Sequence, residues 1–218
     1  MGAIARNIAN KITTSGVFTS GAITNSSVTG ITVLANASDG ITFISSQTAS
    51  ASASISFTTG IDSTYKAYKF VFVNCHPATN NANFTFNFST DSGSNYNVTK
   101  TTTFFRSYHF EDDSDAGINY QTGDDLAQST AFQKLSENGV TNDNDASLNG
   151  SLLLFNPSST TYVKHFIAST NSQKDVGGLC ISSFIAGYGN TTSAINAIQF
   201  KMDSGNIDDG KIYLYGIK

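Results

Sequence analysis

This sequence carries unusually little charge. Its 12 basic and 16 acidic residues make up 13% of the 218 residues, about half the ~25% of an ordinary soluble domain. The net charge is −4 and Lys and Arg form no cluster, which excludes a basic nucleic-acid-binding surface. Residues typical of long helices (Ala, Glu, Lys, Leu and Arg) are too scarce for a coiled coil or a helical bundle.

Long apolar runs are missing as well. No segment approaches the ~18–20 consecutive apolar residues of a membrane helix, so we expect no membrane insertion. Near the start of the chain, polar residues such as Arg6 and Lys11 interrupt the apolar positions, and we expect no signal peptide.

Cysteine is scarce and widely spaced. Cys75 and Cys180 lie 105 positions apart, and neither belongs to a C-x-x-C pair, which excludes a zinc ribbon. Both adjoin apolar runs, so we expect two buried thiols that pack as small hydrophobic side chains. A disulfide between them stays open at this point.

Small polar residues and aromatic rings take the place of the missing charge. The chain contains 29 Ser, 26 Thr and 21 Asn, together with 16 Phe and 9 Tyr. Disordered chains are poor in aromatic residues, so this composition predicts a folded domain. A surface of Ser, Thr and Asn also stays soluble in high salt, where ion pairs are screened.

From residue 41 onward, apolar residues recur at every second position. Apolar residues alternate with serine from Ala49 to Phe57, and Phe84, Phe86 and Phe88 alternate with polar residues. About ten such runs are separated by turn-forming Asp, Asn, Ser and Gly, an arrangement typical of short antiparallel strands. The pattern predicts an all-β fold, an antiparallel two-sheet jelly-roll-like sandwich with a Phe-rich interior.

The first forty residues follow a different pattern. Isoleucines at every fourth position predict a short amphipathic N-terminal helix, and sparse apolar residues after it predict an extended arm packed on another protein surface. A flexible linker is the alternative for the arm. We therefore divide the chain into residues 1–40, for anchoring and oligomerisation, and residues 41–218, the β-sandwich. The expected anchoring and oligomer contacts are Ile4, Ile8, Ile12, Val17, Phe18 and Ile23.

Residues 106–150 interrupt the strand pattern and are strongly acidic. They hold nine of the sixteen acidic residues, opposed only by Arg106 and Lys134. We expect an acidic excursion at one end of the sandwich, in which residues 124–135 form a short helix with acids at its start. Long ordered loops are usually functional.

An aromatic cluster spans residues 104–110 at the mouth of this excursion, and Tyr120 follows it. Ring faces stack on the C–H groups of sugars, and neighbouring carboxylates and amides bind their hydroxyls. The expected glycan or receptor contacts are Tyr108, His109, Tyr120 and Asp124. The alternation, however, continues through Tyr108 and Phe110, and this favours the alternative that the rings of the cluster form the core end of a strand.

Motifs for catalysis or metal binding are not found. Residues 143–149 have oxygen ligands at alternate positions, but Leu148 and Leu154 occupy the positions where an EF-hand needs Gly and Glu. No nucleophile elbow, P-loop or dinucleotide fingerprint occurs. We expect a non-enzymatic protein with no cofactor and no metal; a glycan-active enzyme with paired carboxylates is the catalytic alternative.

Three segments of the chain carry motifs that point to a known family. They are MGAIARNIANKI at residues 1–12, DSTYKAYKFVF at residues 62–72 and SGNIDDGKIYLYGI at residues 204–217. These segments resemble virion proteins of marine tailed phages, such as those that infect cyanobacteria. The resemblance extends along most of the chain, and its motifs are structural rather than catalytic.

The resemblance implies a structural protein of the virion. The preferred role is a tail fibre or similar surface appendage that contacts the host, and the alternative is a capsid decoration or head fibre protein that stabilises the shell. The expected partners are other copies of the chain, as a homotrimer, other virion proteins through residues 1–40, and a host surface glycan.

Overall fold

Alternating apolar and polar residues form twelve strands in the part of the chain that the computed structural model describes, residues 40–174 and 178–218. The strands are β1 (Ile41–Ser52), β2 (Ile55–Phe57), β3 (Ala67–Pro77), β4 (Phe84–Ser89), β5 (Lys100–Phe110), β6 (Ala116–Tyr120), β7 (Gln133–Lys134), β8 (Leu148–Phe155), β9 (Lys164–Lys174), β10 (Leu179–Gly189), β11 (Ala197–Met202) and β12 (Ile207–Ile217). No helix occurs within these residues, and hence none that is long and apolar enough to cross a membrane.

The predicted N-terminal helix and arm lie outside the described residues. This applies to all six expected anchoring contacts, Ile4, Ile8, Ile12, Val17, Phe18 and Ile23. Their role stays a prediction.

The strands form two antiparallel sheets. The larger sheet has eight strands in the order β1-β12-β3-β8-β9-β10-β5-β6, and the smaller has four in the order β2-β11-β4-β7. The predicted all-β, antiparallel, two-sheet and sandwich-like fold is confirmed. One predicted run, residues 49–58, is divided between the sheets, because the chain leaves β1 near Ala51, where φ is 48°, and enters the smaller sheet as β2.

Phenylalanine rings from both sheets form the core. Phe200 of β11 is fully buried, and its ring centroid lies 5.4 Å from Phe70, 5.2 Å from Phe72 and 5.8 Å from Phe84. Edge-to-face and offset ring contacts of this kind add to the free energy gained by burying the rings. The Phe-rich interior expected from the sequence therefore lies between the two sheets.

The acidic segment, residues 106–150, contributes strands to both sheets. β6 lies at the edge of the larger sheet and β7 at the edge of the smaller one. The helix expected at residues 124–135 is wrong, because Gln133 and Lys134 pair with β4 instead. Buried Gln133 accepts a hydrogen bond from Thr102 and donates to the carbonyl oxygen of Asp124, which fixes this segment against β5.

A buried lysine links β4 and β5. Lys100 is fully buried, and its Nζ donates hydrogen bonds to Asn87 Oδ1 and to the carbonyl oxygen of Val98. Burial lowers the pKa of Lys100 to about 7, because an apolar environment disfavours the charged ammonium group.

Replacing Lys100 by methionine should remove a pH-dependent part of the stability. Between the folded pKa of about 7 and the unfolded value of about 10.4, the unfolded chain binds a proton that the folded chain has lost. The unfolding free energy of the wild type should therefore rise relative to Lys100→Met as the pH rises through this range. Denaturant titrations of both proteins at several pH values test this, and parallel pH profiles would contradict it.

Candidate functional site

The larger sheet exposes one face, which we call the outer face. Along β5, β9 and β10, alternate residues are buried against the smaller sheet, and the residues between them point to the outer face. Several large apolar side chains are exposed there. They are Phe43, Phe105, Ile118, Tyr120, Phe155, Ile167 and Phe184.

The outer face is almost free of charge over β8, β9, β10 and β5. The Lys and Arg residues of these strands alternate to the inner face, where Lys100 and Lys164 are buried and Arg106 and Lys174 are half-buried. The described residues of these strands contain no acidic residue. Lys69 and Lys211, on β3 and β12, lie beyond this uncharged area. A broad exposed surface that is both apolar and uncharged usually marks a binding surface.

One end of the outer face is the β5–β6 hairpin. Tyr120 is paired in register with Phe105, whose ring stacks on that of Phe184 with centroids 5.0 Å apart. Tyr120 is 52% exposed, and its hydroxyl donates a hydrogen bond of 2.6 Å to Asp125. The bond to this carboxylate raises the pKa of Tyr120 and fixes the position of its ring.

The four predicted contact residues do not lie on one surface. Tyr108 and His109 are neighbours on β5, so they point to opposite faces of the sheet. Tyr108 donates a hydrogen bond to Asp115 on the inner side, and the Nε2 atom of His109 lies 3.2 Å from Asp113.

Asp124 is placed differently from the prediction. Its side chain is largely buried and forms an ion pair with Lys134, whereas the next residue, Asp125, contacts Tyr120. The structure therefore brings together Tyr120 and Asp125, and the sequence prediction missed Asp125. The two carboxylates are adjacent in a turn, and nothing in the sequence pattern indicates which one faces the ring. We call Ser107, His109, Ile118, Tyr120 and Asp125 the hairpin edge.

Sequence reasoning also missed a depression in the outer face. It has a volume of about 390 Å³ and lies over β9, β10 and β5. Ala186 and the backbone of Gly187 form its floor, and larger side chains surround them. These are Thr101, Thr103, Phe155, His165, Ile167 and Tyr188.

The cysteines occupy different environments. Cys75 is buried, and burial raises its pKa to about 12. The expectation of a second buried thiol is wrong, because Cys180 is exposed on the outer face, where it pairs in register with His109. Both cysteines are free, which answers the question of a disulfide for this structure.

A separate acidic cleft lies beside β3 and β12. It has a volume of about 340 Å³ and is lined in part by His76, Asp145, Asp208 and Asp209. The Nδ1 atom of His76 is 3.7 Å from Asp208. Within the described residues, no group of three or more His, Cys, Asp or Glu side chains is arranged to hold a metal ion.

The hairpin edge has the chemistry of a non-covalent binding site. The exposed Tyr120 ring offers an apolar stacking surface, and the Asp125 carboxylate bound to its hydroxyl can accept hydrogen bonds. The His109 imidazole lies further along the hairpin, opposite Ala116, and can also donate or accept hydrogen bonds. Comparison of the chain with known protein families, curated proteins and solved structures gives no match. The geometry of the described residues is therefore the basis for the proposals that follow.

The role of Asp125 can be tested by titrating Tyr120. Asp125→Asn should lower the pKa of Tyr120 toward the ordinary value of about 10, because the charged acceptor is lost. Asp124→Asn is the matched control and should leave this pKa unchanged, since Asp124 pairs with Lys134. NMR of the tyrosine ring carbons measures both. Equal Tyr120 titrations in the two variants would show that Asp125 does not hold the ring.

Proposed function

We propose that this chain is a non-enzymatic structural protein of a tailed-phage virion, and that it contacts the host surface as a tail fibre or similar appendage. The observation that carries the host-contact role is the hairpin edge, where Tyr120 is exposed and held by Asp125. The virion assignment rests on the sequence resemblance. Two of its three segments, residues 62–72 and 204–217, contribute to the neighbouring strands β3 and β12.

A host glycan is the contact that this chemistry favours. The Tyr120 ring can stack on the C–H face of a sugar, and its orientation is already fixed by Asp125, which reduces the entropy lost on binding. The second oxygen of Asp125 can hydrogen-bond the hydroxyls of that sugar. The exposed imidazole of His109 lies about 13 Å along the hairpin from the position of Tyr120, within reach of a further sugar unit of the same glycan. Because the adjoining outer face is uncharged, a neutral glycan meets no repulsion there.

The remaining features of the proposal concern the assembly of the particle. The helix and arm predicted for residues 1–40 lie almost entirely outside the described residues; in this proposal they bind other virion proteins and hold the chain as a homotrimer. The β-sandwich has a jelly-roll-like organisation and is displayed outward. Several copies on one particle then raise the avidity for a repetitive glycan far above the affinity of one site.

A capsid decoration or head fibre protein is the second candidate function. The observation that favours it is the width of the uncharged outer face, which suits docking on a flat protein surface. Particles that lack this chain would then be fragile but adsorb normally. A glycan-active enzyme would instead release reducing sugar from host polysaccharide, and this release would fall in Asp or Glu variants.

Binding of the full-length protein to host cells tests the host-contact role. Tyr120→Ala should weaken binding about tenfold, which corresponds to ~1.4 kcal/mol, because the stacking surface is lost. Asp125→Asn should weaken it less, because the ring stays but is no longer fixed. Binding to cells and to their purified lipopolysaccharide is measured with the fluorescently labelled protein.

Tyr162→Ala is the matched control for this experiment. Tyr162 is 69% exposed in the loop before β9, outside the hairpin edge, and its removal should leave binding unchanged. Equal binding by the wild type and Tyr120→Ala would reject the hairpin edge as the contact surface.

A further inference from the structure

The outer face contains a raised element next to a recessed one. The stacked rings of Phe105 and Phe184, which we call the ridge, are 42% and 36% exposed. Two residues along the same strands, at the next position on this face, lie Thr103 and Ala186. They pair in register with each other, and Ala186 forms the floor of the depression. On both strands, a large ring is therefore followed by a smaller side chain at the next outer-face position.

Such an arrangement is complementary to itself. Consider a two-fold axis that lies in the plane of the face and crosses β5 and β10 between the Phe105/Phe184 pair and the Thr103/Ala186 pair. Rotation about this axis reverses the strand direction in the second copy. It places the Phe184 and Phe105 rings of each copy over Ala186 and Thr103 of the other. Sheets that pack face to face lie about 10 Å apart, a distance that large side chains opposite small ones fill well.

The size of the face also fits a protein partner. With strands about 4.8 Å apart and a rise of ~3.3 Å per residue, the area of β8, β9, β10 and β5 is roughly 650 Å². A standard protein interface buries about 800 Å² on each partner, with a range of ~600–1,000 Å². The uncharged area is therefore large enough for a specific contact without any contribution from the strands that carry Lys69 and Lys211.

Charge does not oppose contact between two copies of this face. The centre of a protein interface is depleted of charged residues, as this area is. Two copies of the same surface usually repel each other when they are charged, but the described residues of these four strands bring no like charges together. The hydroxyl and amide groups that surround the ridge, such as Ser169 and Asn171, supply polar contacts at its rim.

We propose that the outer face binds the outer face of a second copy of this chain, with the ridge of each copy inserted into the depression of the other. This inference goes beyond the proposed function and does not depend on the virion role. The axis leaves β6 of both copies on the same side of the pair. The two hairpin edges would therefore face each other across the gap between the sheets, at one side of the pair.

The mass of the full-length protein in solution tests the proposal. Light scattering after size exclusion should show that the double variant Phe105→Ser/Phe184→Ser has half the mass of the wild-type assembly, because the ridge is lost. Ala186→Trp should also halve the mass, because the indole ring fills the depression that receives the ridge of the other copy. Circular dichroism confirms that each variant is folded; the side chains replaced are exposed or lie on the exposed face.

Phe43→Ser is the matched control. Phe43 is 56% exposed on β1, at the far side of the outer face and outside the proposed contact, so its replacement should leave the mass unchanged. Unchanged mass in folded ridge variants would overturn the proposal, whether the wild type is a single copy or an assembly joined through residues 1–40. If Ala186→Trp instead abolishes lipopolysaccharide binding without a change in mass, the face binds glycan and the second copy is excluded. The proposed function is tested separately, by the host binding of Tyr120→Ala, whose outcome does not depend on the mass of the assembly.

Discussion

The structure depends on an imbalance between its two sheets. Eight strands form one sheet and four form the other, and strands of the larger sheet carry apolar side chains on both faces. The smaller sheet covers one of these faces, and Phe rings from both sheets fill the space between them. The outer face has no such cover among the described residues. Burying its apolar side chains would gain free energy through the same hydrophobic effect that stabilises the core.

Several of the few charged side chains lie on the inner side of the larger sheet, which the smaller sheet covers. Arg106 and Glu137 form a largely buried ion pair on the inner side, where burial raises the pKa of Glu137 against the opposing effect of Arg106. Lys100 is held inside by Asn87 and a backbone carbonyl. Charge within β5 and its neighbours thus points inward, and the surface that is left uncharged is the one available to a partner.

The strands could be predicted from the sequence because their alternation has a period of two. All ten predicted runs overlap strands, but β6 and β7 were missed, since both are short and lie in a segment dominated by acidic residues and turns. Alternation alone does not show which sheet a strand joins, which is why residues 49–58 were predicted as one run. It also does not show which face is covered when both faces carry apolar residues. For that reason Cys180 was wrongly expected to be buried.

The candidate site could be predicted only in part. Tyr120 and His109 were identified from residue type and both lie on the hairpin edge, but Asp125 depends on the path of a turn. The depression depends on the registers between β5, β9 and β10, which bring Ala186 next to Thr103 and Ile167. Registers between distant strands are set by the packing of the whole sheet, so a surface built from them cannot be identified from one sequence.

A cryo-electron microscopy reconstruction of the full-length assembly tests the central claim most directly. The account predicts two larger sheets that face each other about 10 Å apart, with Phe184 of each copy over Ala186 of the other. The β5–β6 hairpins should lie along one open side of the pair. A reconstruction in which the outer face is open to solvent, or is covered by anything other than a second outer face, would contradict the account.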